Sequence, residues 1–295
     1  MSDFEKQYIN IMSDIINNGV RVKNRTGVDS YTTWGQTLKI DLSKGFPLIT
    51  TRKVPLRIAF EETWFFLRGE TDTKKLEEKK INIWKGNTSR EFLDGRGLTH
   101  LPEGHLGKTY GFQMRNFGGD YSVDSIYDLD WKGVDQVSNL LKGLKNDPSG
   151  RRHIVTCWNP QQLDDMSLQP CHLYQQYNIT NGKLNSNFVM RSWDFAYGSW
   201  VNIAGYALLN HVYAKYLNVQ PGTLFCVGND VHLYENQIDI CKEQITRTPF
   251  DLPQINITKN ISTIDDILNL EFKDIEFTRQ YIAHPDFKNK PKMAV

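Results

Sequence analysis

The chain has 295 residues, of which 39% are hydrophobic and 23% are charged, as is typical of globular proteins. Its 35 Lys and Arg residues nearly balance its 34 Asp and Glu residues, and a net charge of +1 argues against broad attraction to nucleic acid or to a membrane surface. Any site for an anion must therefore be local.

The four cysteines form neither a CxxC pair nor the spacing of a metal site: Cys157, Cys171, Cys226 and Cys241. So few cysteines in so long a chain indicate a reduced, intracellular setting. No apolar run approaches the roughly 18 residues that a membrane span needs, and the N-terminus lacks the hydrophobic core of a signal peptide. We therefore expect a cytoplasmic protein that uses no metal ion.

The first predicted element is a helix that begins at Ser2 and ends at Gly19. Ser2 and Glu5 have the spacing of a capping box, and apolar residues follow at helical intervals. A short polar turn around Arg25 then precedes a strand-like run from Tyr31 to Leu42. Arg25 is either simply solvated or a ligand for a phosphate, which its planar guanidinium suits.

A second, mostly apolar helix is predicted from Pro55 to Gly69, because proline is favoured at a helix start. Glu61 and Glu62 lie inside it, where a carboxylate either faces solvent or sits in a pocket with a raised pKa. The stretch from Ile83 to Phe117 is rich in Gly, Trp and polar residues and indicates long loops, which often carry function. Residues Val134 to Leu144 predict another helix.

An arginine pair, Arg151 and Arg152, precedes the predicted strand from His153 to Trp158. One of two adjacent side chains at a strand start must point towards the core side, so the pair suits an anion or a partner chain. Two further strands flank Thr-Asn-Gly-Lys at 180–183, a strong hairpin signal. A long apolar helix is predicted from Asn202 to Leu217.

The last predicted strand, Leu224 to Val231, leads into a helix that ends at Thr246. Neither a linker rich in Pro and Ser nor an internal repeat interrupts the chain. The elements together predict an α+β protein with one domain over residues 1–295, in which helices flank a mixed sheet.

The chemically distinctive residues gather between Gln169 and Asn202. Cys171 follows a proline and precedes His172; alone, such a cysteine is usually a small buried hydrophobe. Further along the segment come a cation, a carboxylate and an amide: Arg191, Asp194 and Asn202. A soft nucleophile beside these groups predicts covalent catalysis on a small anionic substrate with a polar ring.

With these residues in view, the chain resembles the thymidylate synthase family along almost its whole length. The matching segments include Asn24-Arg25-Thr26-Gly27, Tyr110-Gly111-Phe112-Gln113, Gly150-Arg151-Arg152, Gln169-Pro170-Cys171-His172, Arg191-Ser192, Asp194, Asn202-Ile203-Ala204, Asp230, His232, Tyr234 and Lys292-Met293-Ala294-Val295. The resemblance implies a thymidylate synthase-like fold and a homodimer in which the sheets of two copies pack together.

The resemblance also implies one-carbon transfer from 5,10-methylenetetrahydrofolate to C5 of dUMP. Cys171 would add to C6 of the pyrimidine, and the cation of Arg191 would lower the pKa of its thiol. The residues that would bind dUMP are Arg25, Arg191 and Ser192 at the phosphate, His232 and Tyr234 at the ribose, and Asn202 at N3 and O4 of the base. Arg151 and Arg152 would enter the partner subunit's site.

Asn202 would select uracil, because an amide offers both a donor and an acceptor; cytosine-specific relatives carry an aspartate here. Glu62 would polarise O4 through water, Tyr110 would assist removal of the C5 proton, and His172 would order the network. Asp194 would serve catalysis by hydrogen-bonding the pterin. The remaining folate contacts would be Trp84, Tyr197, Gly198 and the chain end with Ala294, which would close over the ligands.

The chain departs from the family pattern at five positions that the resemblance assigns mainly to the folate side: Lys85, Met190, Trp193, Tyr197 and Trp200. New aromatic groups there would alter the contact across which hydride reaches the methylene. Phage deoxycytidylate hydroxymethylases are similar in having an aromatic residue before the glycine. In those relatives, water captures the methylene instead of hydride. With Asn202 retained, we expect a deoxyuridylate hydroxymethylase that makes 5-hydroxymethyl-dUMP.

Three alternatives are weighed against this expectation. The first is a divergent thymidylate synthase, making dTMP and dihydrofolate, in which the five residues only repack the site. The second is an inactive nucleotide-binding relative, against which the intact Cys171, Arg191 and Asn202 argue. The third is a nucleic-acid-binding protein, against which the near-neutral charge argues.

Overall fold

The centre of the structure is a six-stranded mixed sheet with the strand order β1-β2-β6-β5-β4-β3. This computed structural model describes residues 2–121, 123, 132–288 and 291. The strands of the sheet are β1 (Val20–Val22), β2 (Ser30–Asp41), β3 (His153–Thr156), β4 (His172–Thr180), β5 (Lys183–Asp194) and β6 (Gln220–Tyr234). β5 and β6 run parallel, and the other neighbours are antiparallel. The α+β class and mixed sheet predicted from the sequence are confirmed.

The helices and a small second sheet complete the described chain. The helices are α1 (Asp3–Asn18), α2 (Leu56–Leu67), α3 (Lys74–Glu78), α4 (Arg90–Gly95), α5 (Tyr110–Asn116), α6 (Gln136–Asn146), α7 (Ser199–Tyr216), α8 (Ile238–Thr246) and α9 (Ile264–Leu268). β7 (Gln254–Ile257) pairs with β8 (Ile275–Arg279) in the second sheet. Among the described helices, none combines the length and hydrophobicity that crossing a membrane requires.

The register of the sheet separates a buried face from an exposed one. One line of paired residues crosses five strands and is buried throughout: Leu38, Cys226, Phe188, Gln175 and Val155. Because neighbouring residues of a strand point to opposite faces, the adjacent line lies on the other side. There Phe225, Ile154 and Tyr174 remain 37%, 45% and 36% exposed.

The buried face is covered by α7, which packs against both the sheet and α2. Its residues are buried on nearly all sides, as its continuous apolar pattern predicts. Gly205 of α7 allows a close approach, because a Cβ there would lie 2.3 Å from Thr63 Oγ1 on α2. This packing brings the start of α7 and the middle of α2 to one end of the sheet.

The predicted first helix and hairpin are confirmed, with one correction. Ser2 caps α1, since its Oγ accepts from the N–H of Glu5 at 3.2 Å. The side chain of Glu5 does not complete a capping box. It is buried, and its carboxylate accepts from the N–H groups of Thr50 and Thr51 at 2.7 and 3.1 Å. The loop gives this buried carboxylate two N–H donors, whereas a capping box would give it one.

The prediction of loops from Ile83 to Phe117 is wrong at two places, where α4 and α5 form. Both helices are short, so they have too few turns to show an apolar period. Ser89 caps α4 by accepting from the N–H of Phe92 at 3.2 Å. The first residue of α5, Tyr110, is 2% exposed and points into the region described next.

Candidate active site

The candidate site lies where β4 begins and where the parallel strands β5 and β6 end. Asp194, the last residue of β5, is paired with His232 of β6, and Ser192 is paired with Asp230. His172 opens β4 and is paired with Met190 of β5, next to an irregularity in the register. These pairings gather most of the predicted site residues at one edge of the sheet.

Cys171 is fixed by two residues that the sequence singles out. Its N–H donates to Tyr110 Oη at 2.8 Å, and its carbonyl accepts from the N–H of Arg191 at 2.8 Å. The guanidinium of Arg191 donates to the carbonyls of Pro170 and Gln169 at 3.0 and 2.9 Å. These bonds use only part of the five N–H donors of an arginine, so Arg191 both holds the cysteine loop and retains donors for an anion.

The expected effect of Arg191 on the Cys171 thiol has the right sign but is not the dominant one. Burial raises the pKa of the thiol, and the cation of Arg191 opposes this rise, with smaller help from Tyr110 and Arg25. Arg191 thus lowers the pKa of the thiol as predicted, but burial raises it by more, so the net pKa is raised. The reason is that desolvation of a thiolate outweighs one nearby cation.

The predicted base-reading amide of Asn202 lies in the first turn of α7 and is bonded on both sides. Its Nδ2 donates to His172 Nε2 at 3.1 Å, and its Oδ1 accepts from Trp193 Nε1 at 3.0 Å. His172 Nδ1 pairs with the hydroxyl of Tyr206 at 2.9 Å. Burial lowers the pKa of His172 to about 4, so the ring is neutral near pH 7. The predicted ordering role of His172 agrees with this chain of bonds.

Tyr206 is a member of this network that the sequence reasoning missed. A usable signal exists, because Tyr206 follows Asn202 by four residues and so lies on the same face of α7. Its ring stacks on Phe188 with centroids 4.3 Å apart. Tyr206 therefore links His172 to the packed sheet, by its hydroxyl on one side and its ring on the other.

Glu62 meets the expectation of a carboxylate held in a pocket with a raised pKa. It accepts from Trp84 Nε1 at 2.9 Å, and burial raises its pKa to about 7. Trp84 also packs edge-on against Tyr110, with centroids 5.6 Å apart. Glu61 behaves differently, since it forms an ion pair with Lys79 at 2.6 Å. Glu62 is thus the carboxylate of α2 poised to exchange a proton near neutral pH.

A cleft of about 600 Å³ lies beside Cys171 and has two arginines in its wall. Arg25 and Arg191 line it together with Gly86, Ser89, Glu91, Phe92, Gly95, Arg96, Ser167, Leu168 and Gln169. Arg25 is exposed on the loop before β2. Two guanidinium groups that share a cleft suit a phosphate, which both can hold through charge-assisted bonds. The structure therefore brings the predicted phosphate ligands together.

The residues predicted for the ribose lie at the end of β6. His232 is buried, and its Nδ1 pairs with Asp230 Oδ1 at 2.7 Å. That hydrogen bond lowers the pKa of Asp230. Tyr234 is half-buried, and burial raises its pKa to about 12. Both side chains therefore place hydrogen-bonding groups at the end of β6.

Asp194 and the turn after it form the region predicted for folate. Asp194 Oδ1 accepts from the N–H groups of Ala196 and Tyr197, both at 3.1 Å, and Oδ2 accepts from Gln237 at 3.3 Å. Burial raises its pKa, and His232 opposes the rise. At Gly198 a Cβ would lie 3.1 Å from the carbonyl oxygen of Asp194, which is tight, and 3.7 Å from Asn202 Oδ1, which is an ordinary contact. Gln237 is a second residue that the sequence reasoning missed.

Four of the residues that depart from the family pattern have contacts that the sequence does not reveal. Trp193 is bonded to Asn202, the predicted base-reading residue. Trp200 is buried in the core at 7% exposure, and Met190 is buried as well. Lys85 is exposed, and its Nζ lies 3.8 Å from Glu77 Oε2. Their expected place on the folate side stays a prediction.

Tyr197 is the remaining departure, and it does lie next to Asp194. Its ring packs on the guanidinium of Arg52, with Cζ 4.9 Å from the ring centroid. Arg52 is buried and also donates to the carbonyl of Ala196. The hydroxyl of Tyr197 is buried and has no hydrogen-bond partner among the described residues. Tyr197 thus lies beside the carboxylate that is predicted to bond the pterin.

Of the predicted site residues, Arg25 and Arg191 line the cleft, whereas Glu62, His172 and Asn202 border a separate small cavity together with Tyr206. Arg151 and Arg152 are exposed before β3, and neither belongs to the described residues that line the cleft. Their predicted entry into a partner's site stays a prediction. Ala294, predicted to cover the folate, lies outside the described residues together with the rest of 292–295.

Comparison with known proteins gives one consistent family. A family model described as thymidylate synthase matches residues 6–295. The bifunctional dihydrofolate reductase-thymidylate synthases of Paramecium tetraurelia and Zea mays are 42% and 39% identical over 291 residues, which is 99% of this chain. The match covers 61% and 54% of those relatives, so this chain spans little more than half of their length. The thymidylate synthase of Equine herpesvirus 2 is 40% identical over 268 residues, covering 91% of this chain and 92% of that relative.

Proposed function

Because the chain belongs to the thymidylate synthase family, we propose that it transfers a one-carbon unit from 5,10-methylenetetrahydrofolate to C5 of dUMP and makes dTMP, with dihydrofolate as the second product. The observation that carries the proposal is the placement of Cys171 between a cation and a base-reading amide. Arg191 holds the cysteine loop and lines the cleft. His172, next to Cys171, bonds the amide of Asn202.

The covalent step follows from this placement. With dUMP bound, the phosphate lies on Arg25 and Arg191, and the amide of Asn202 bonds N3–H and O4 of the base. Cys171 Sγ releases its proton to solvent and forms a bond to C6, while the electron pair of the C5–C6 double bond moves onto C5 and O4. Since burial raises the pKa of the thiol, this step is favoured only as the developing negative charge moves from sulfur to the hydrogen-bonded O4.

Proton transfers at the base fall to Glu62 and Tyr110. The pKa of Glu62 is about 7, so this carboxyl can both give and take a proton near neutral pH, through water to O4. Tyr110 is a buried hydroxyl that accepts from the N–H of Cys171. It lies close enough to the nucleophile to assist removal of the C5 proton after the one-carbon unit has been added.

The residues of the folate region fit a reduced pterin. Trp84 offers an aromatic wall beside Glu62, and the carboxylate of Asp194 has acceptor sites beyond the three bonds that it already makes. When bound, methylenetetrahydrofolate supplies the carbon and, for dTMP, the hydride that reduces it.

The hydroxymethylase reading is the second candidate. The relatives named above are called thymidylate synthases, which favours dTMP, and so do the bond of Trp193 to Asn202 and the burial of Trp200 in the core, because such residues can simply repack the site. The observation that favours 5-hydroxymethyl-dUMP is the buried hydroxyl of Tyr197, which has no partner among the described residues. A polar atom in that position can hold a water molecule near Asp194.

The product decides between the two candidates. The purified protein is incubated with dUMP and methylenetetrahydrofolate, the nucleotide product is identified by mass spectrometry, and dihydrofolate is followed by absorbance. We expect dTMP with an equal amount of dihydrofolate. A hydroxymethyl product without dihydrofolate would select the second candidate, and an unchanged nucleotide would contradict both.

The active form in this proposal is a homodimer that pairs the exposed faces of two sheets. The apolar side chains of Ile154, Tyr174 and Phe225 on that face support it, since such a surface is buried in most symmetric dimers. Arg151 and Arg152 would then reach the other subunit's cleft. Mixing the inactive variants C171A and R151A/R152A should restore activity, because one mixed site has both parts. No recovery after mixing would argue against the shared site.

A further inference from the structure

The orientation of the Asn202 amide is set by two partners, and they differ in kind. Oδ1 accepts from Trp193 Nε1, and Nδ2 donates to His172 Nε2. An amide has two N–H donors and two acceptor sites on its oxygen. One donor and one acceptor of Asn202 therefore remain for a ligand, in an order that these two bonds determine.

His172 alone cannot hold the amide in one orientation. A neutral imidazole has its proton on either nitrogen. If the proton moved to Nε2, His172 would face the oxygen of a flipped amide equally well, and the hydroxyl of Tyr206 would turn to donate to Nδ1. The indole of Trp193 has no such second form, because its N–H is only a donor.

We propose that Trp193 is a positioning residue that makes the site select uracil over cytosine by fixing the direction of the Asn202 amide. Uracil presents a donor at N3 and an acceptor at O4, and cytosine presents the opposite pair. An amide free to flip would serve both bases. With Trp193 present, the flipped amide would face the indole N–H with its own N–H₂, leaving buried donors unpaired at roughly a tenfold loss in binding.

The packing around Trp193 prevents the indole from following a flipped amide. The side chain is 0% exposed, and its ring meets Phe188 and Phe195 edge-on at 5.7 and 5.4 Å between centroids. Across the sheet, a Cβ at Gly228 would lie 2.6 Å from Trp193 Cε3, so only glycine leaves room for the ring there. The close packing of these neighbours therefore holds the indole N–H of Trp193 in one position.

The inference rests on dUMP as the substrate, and the test separates the two. Trp193 is replaced by benzothienylalanine, which has the shape of tryptophan but sulfur in place of the N–H. Dissociation constants for dUMP and dCMP are measured by calorimetry, and release of tritium from C5 of each labelled nucleotide is measured without folate. We expect the preference of the wild type for dUMP to fall about tenfold or more, through weaker dUMP binding and tighter dCMP binding.

The matched control is F60L, which removes ring volume from a buried core pair, Phe60 stacked on Trp64, but neither the packing on Trp193 nor a hydrogen bond to the amide. It should lower thermal stability and leave the ratio of the two dissociation constants unchanged. An unchanged ratio in the benzothienylalanine variant overturns the inference, and so does an equal loss for both nucleotides. A wild type that binds neither nucleotide overturns the proposed function and this inference with it.

Discussion

The two parts of the candidate site, a base end and a phosphate end, are built on opposite principles. The base end consists of half-buried Asn202 and His172 and buried Trp193 and Tyr206, which bond one another and lie beside Glu62. The phosphate end has the two cations Arg25 and Arg191, and Arg25 is exposed. Burial lowers the pKa of His172 to about 4, which keeps the base end neutral. Fixed neutral dipoles distinguish ligands of similar shape, whereas exposed charges attract any phosphate.

The largest expected effect comes from the residue between the two ends. C171A removes the nucleophile and leaves both ends unchanged, so turnover should fall by at least about a thousandfold while the dissociation constant of dUMP changes little. Single-turnover assays and calorimetry measure the two effects. C241A is the control, because burial raises the pKa of that thiol to about 12 and it should keep its activity. Full turnover in C171A would rule out the covalent step.

A smaller effect tests whether burial keeps the carboxyl of Glu62, beside the base end, neutral. Burial raises the pKa of Glu62 from 4.5 to about 7, so the folded chain favours the protonated carboxyl. That contribution to stability is fully present below pH 4.5 and is lost as the pH rises through 7. The free energy of unfolding of E62Q relative to wild type should therefore increase between about pH 5 and pH 8, by about 1–3 kcal/mol.

Urea unfolding at several pH values measures this difference. Asp194 and Glu5 also have raised pKa values, but both are present in the two proteins and cancel in the comparison. E61Q is the matched control, since Glu61 lies on the same helix as Glu62 but is paired with Lys79. A stability difference that does not vary with pH would show that Glu62 is charged throughout, contrary to a neutral carboxyl beside the base end.

The smallest expected effect is at the phosphate end. R25A should weaken the binding of dUMP and of dCMP by the same factor, about tenfold at low salt, because the arginine contacts the phosphate and not the base. The loss should shrink as salt screens the charge. R21A is the control, since that exposed arginine is already paired with Asp29 and Glu235 at 3.0 and 3.1 Å. Unequal losses for the two nucleotides would mean that the two ends are not independent.

Long regular elements were predictable from the sequence, and short ones were not. α1, α7 and the β4–β5 hairpin carry an apolar period or an Asn-Gly turn, which local chemistry determines. α4 and α5 are too short for a period. The inward turn of Glu5 depends on Thr50 and Thr51, which are distant in sequence, so no local pattern reveals it.

The site was predictable by residue type but not by direction. Cys171, Arg191 and Asn202 are recognised by their chemistry and their order along the chain, and the structure does place them together. The bond of Trp193 to Asn202 could not be predicted, because the sequence does not say which neighbour a strand residue meets. That depends on the pairing of β5 with β6. The raised pKa of Cys171 is likewise a property of its surroundings.

The tight contact at Gly228 couples this position to Trp193, 35 residues away in the sequence. A Cβ there would lie 2.6 Å from Trp193 Cε3 and 2.4 Å from Val231 Cγ2. Any side chain at 228 would collide with both neighbours unless they moved, so replacing Gly228 is expected to displace the indole of Trp193 as well.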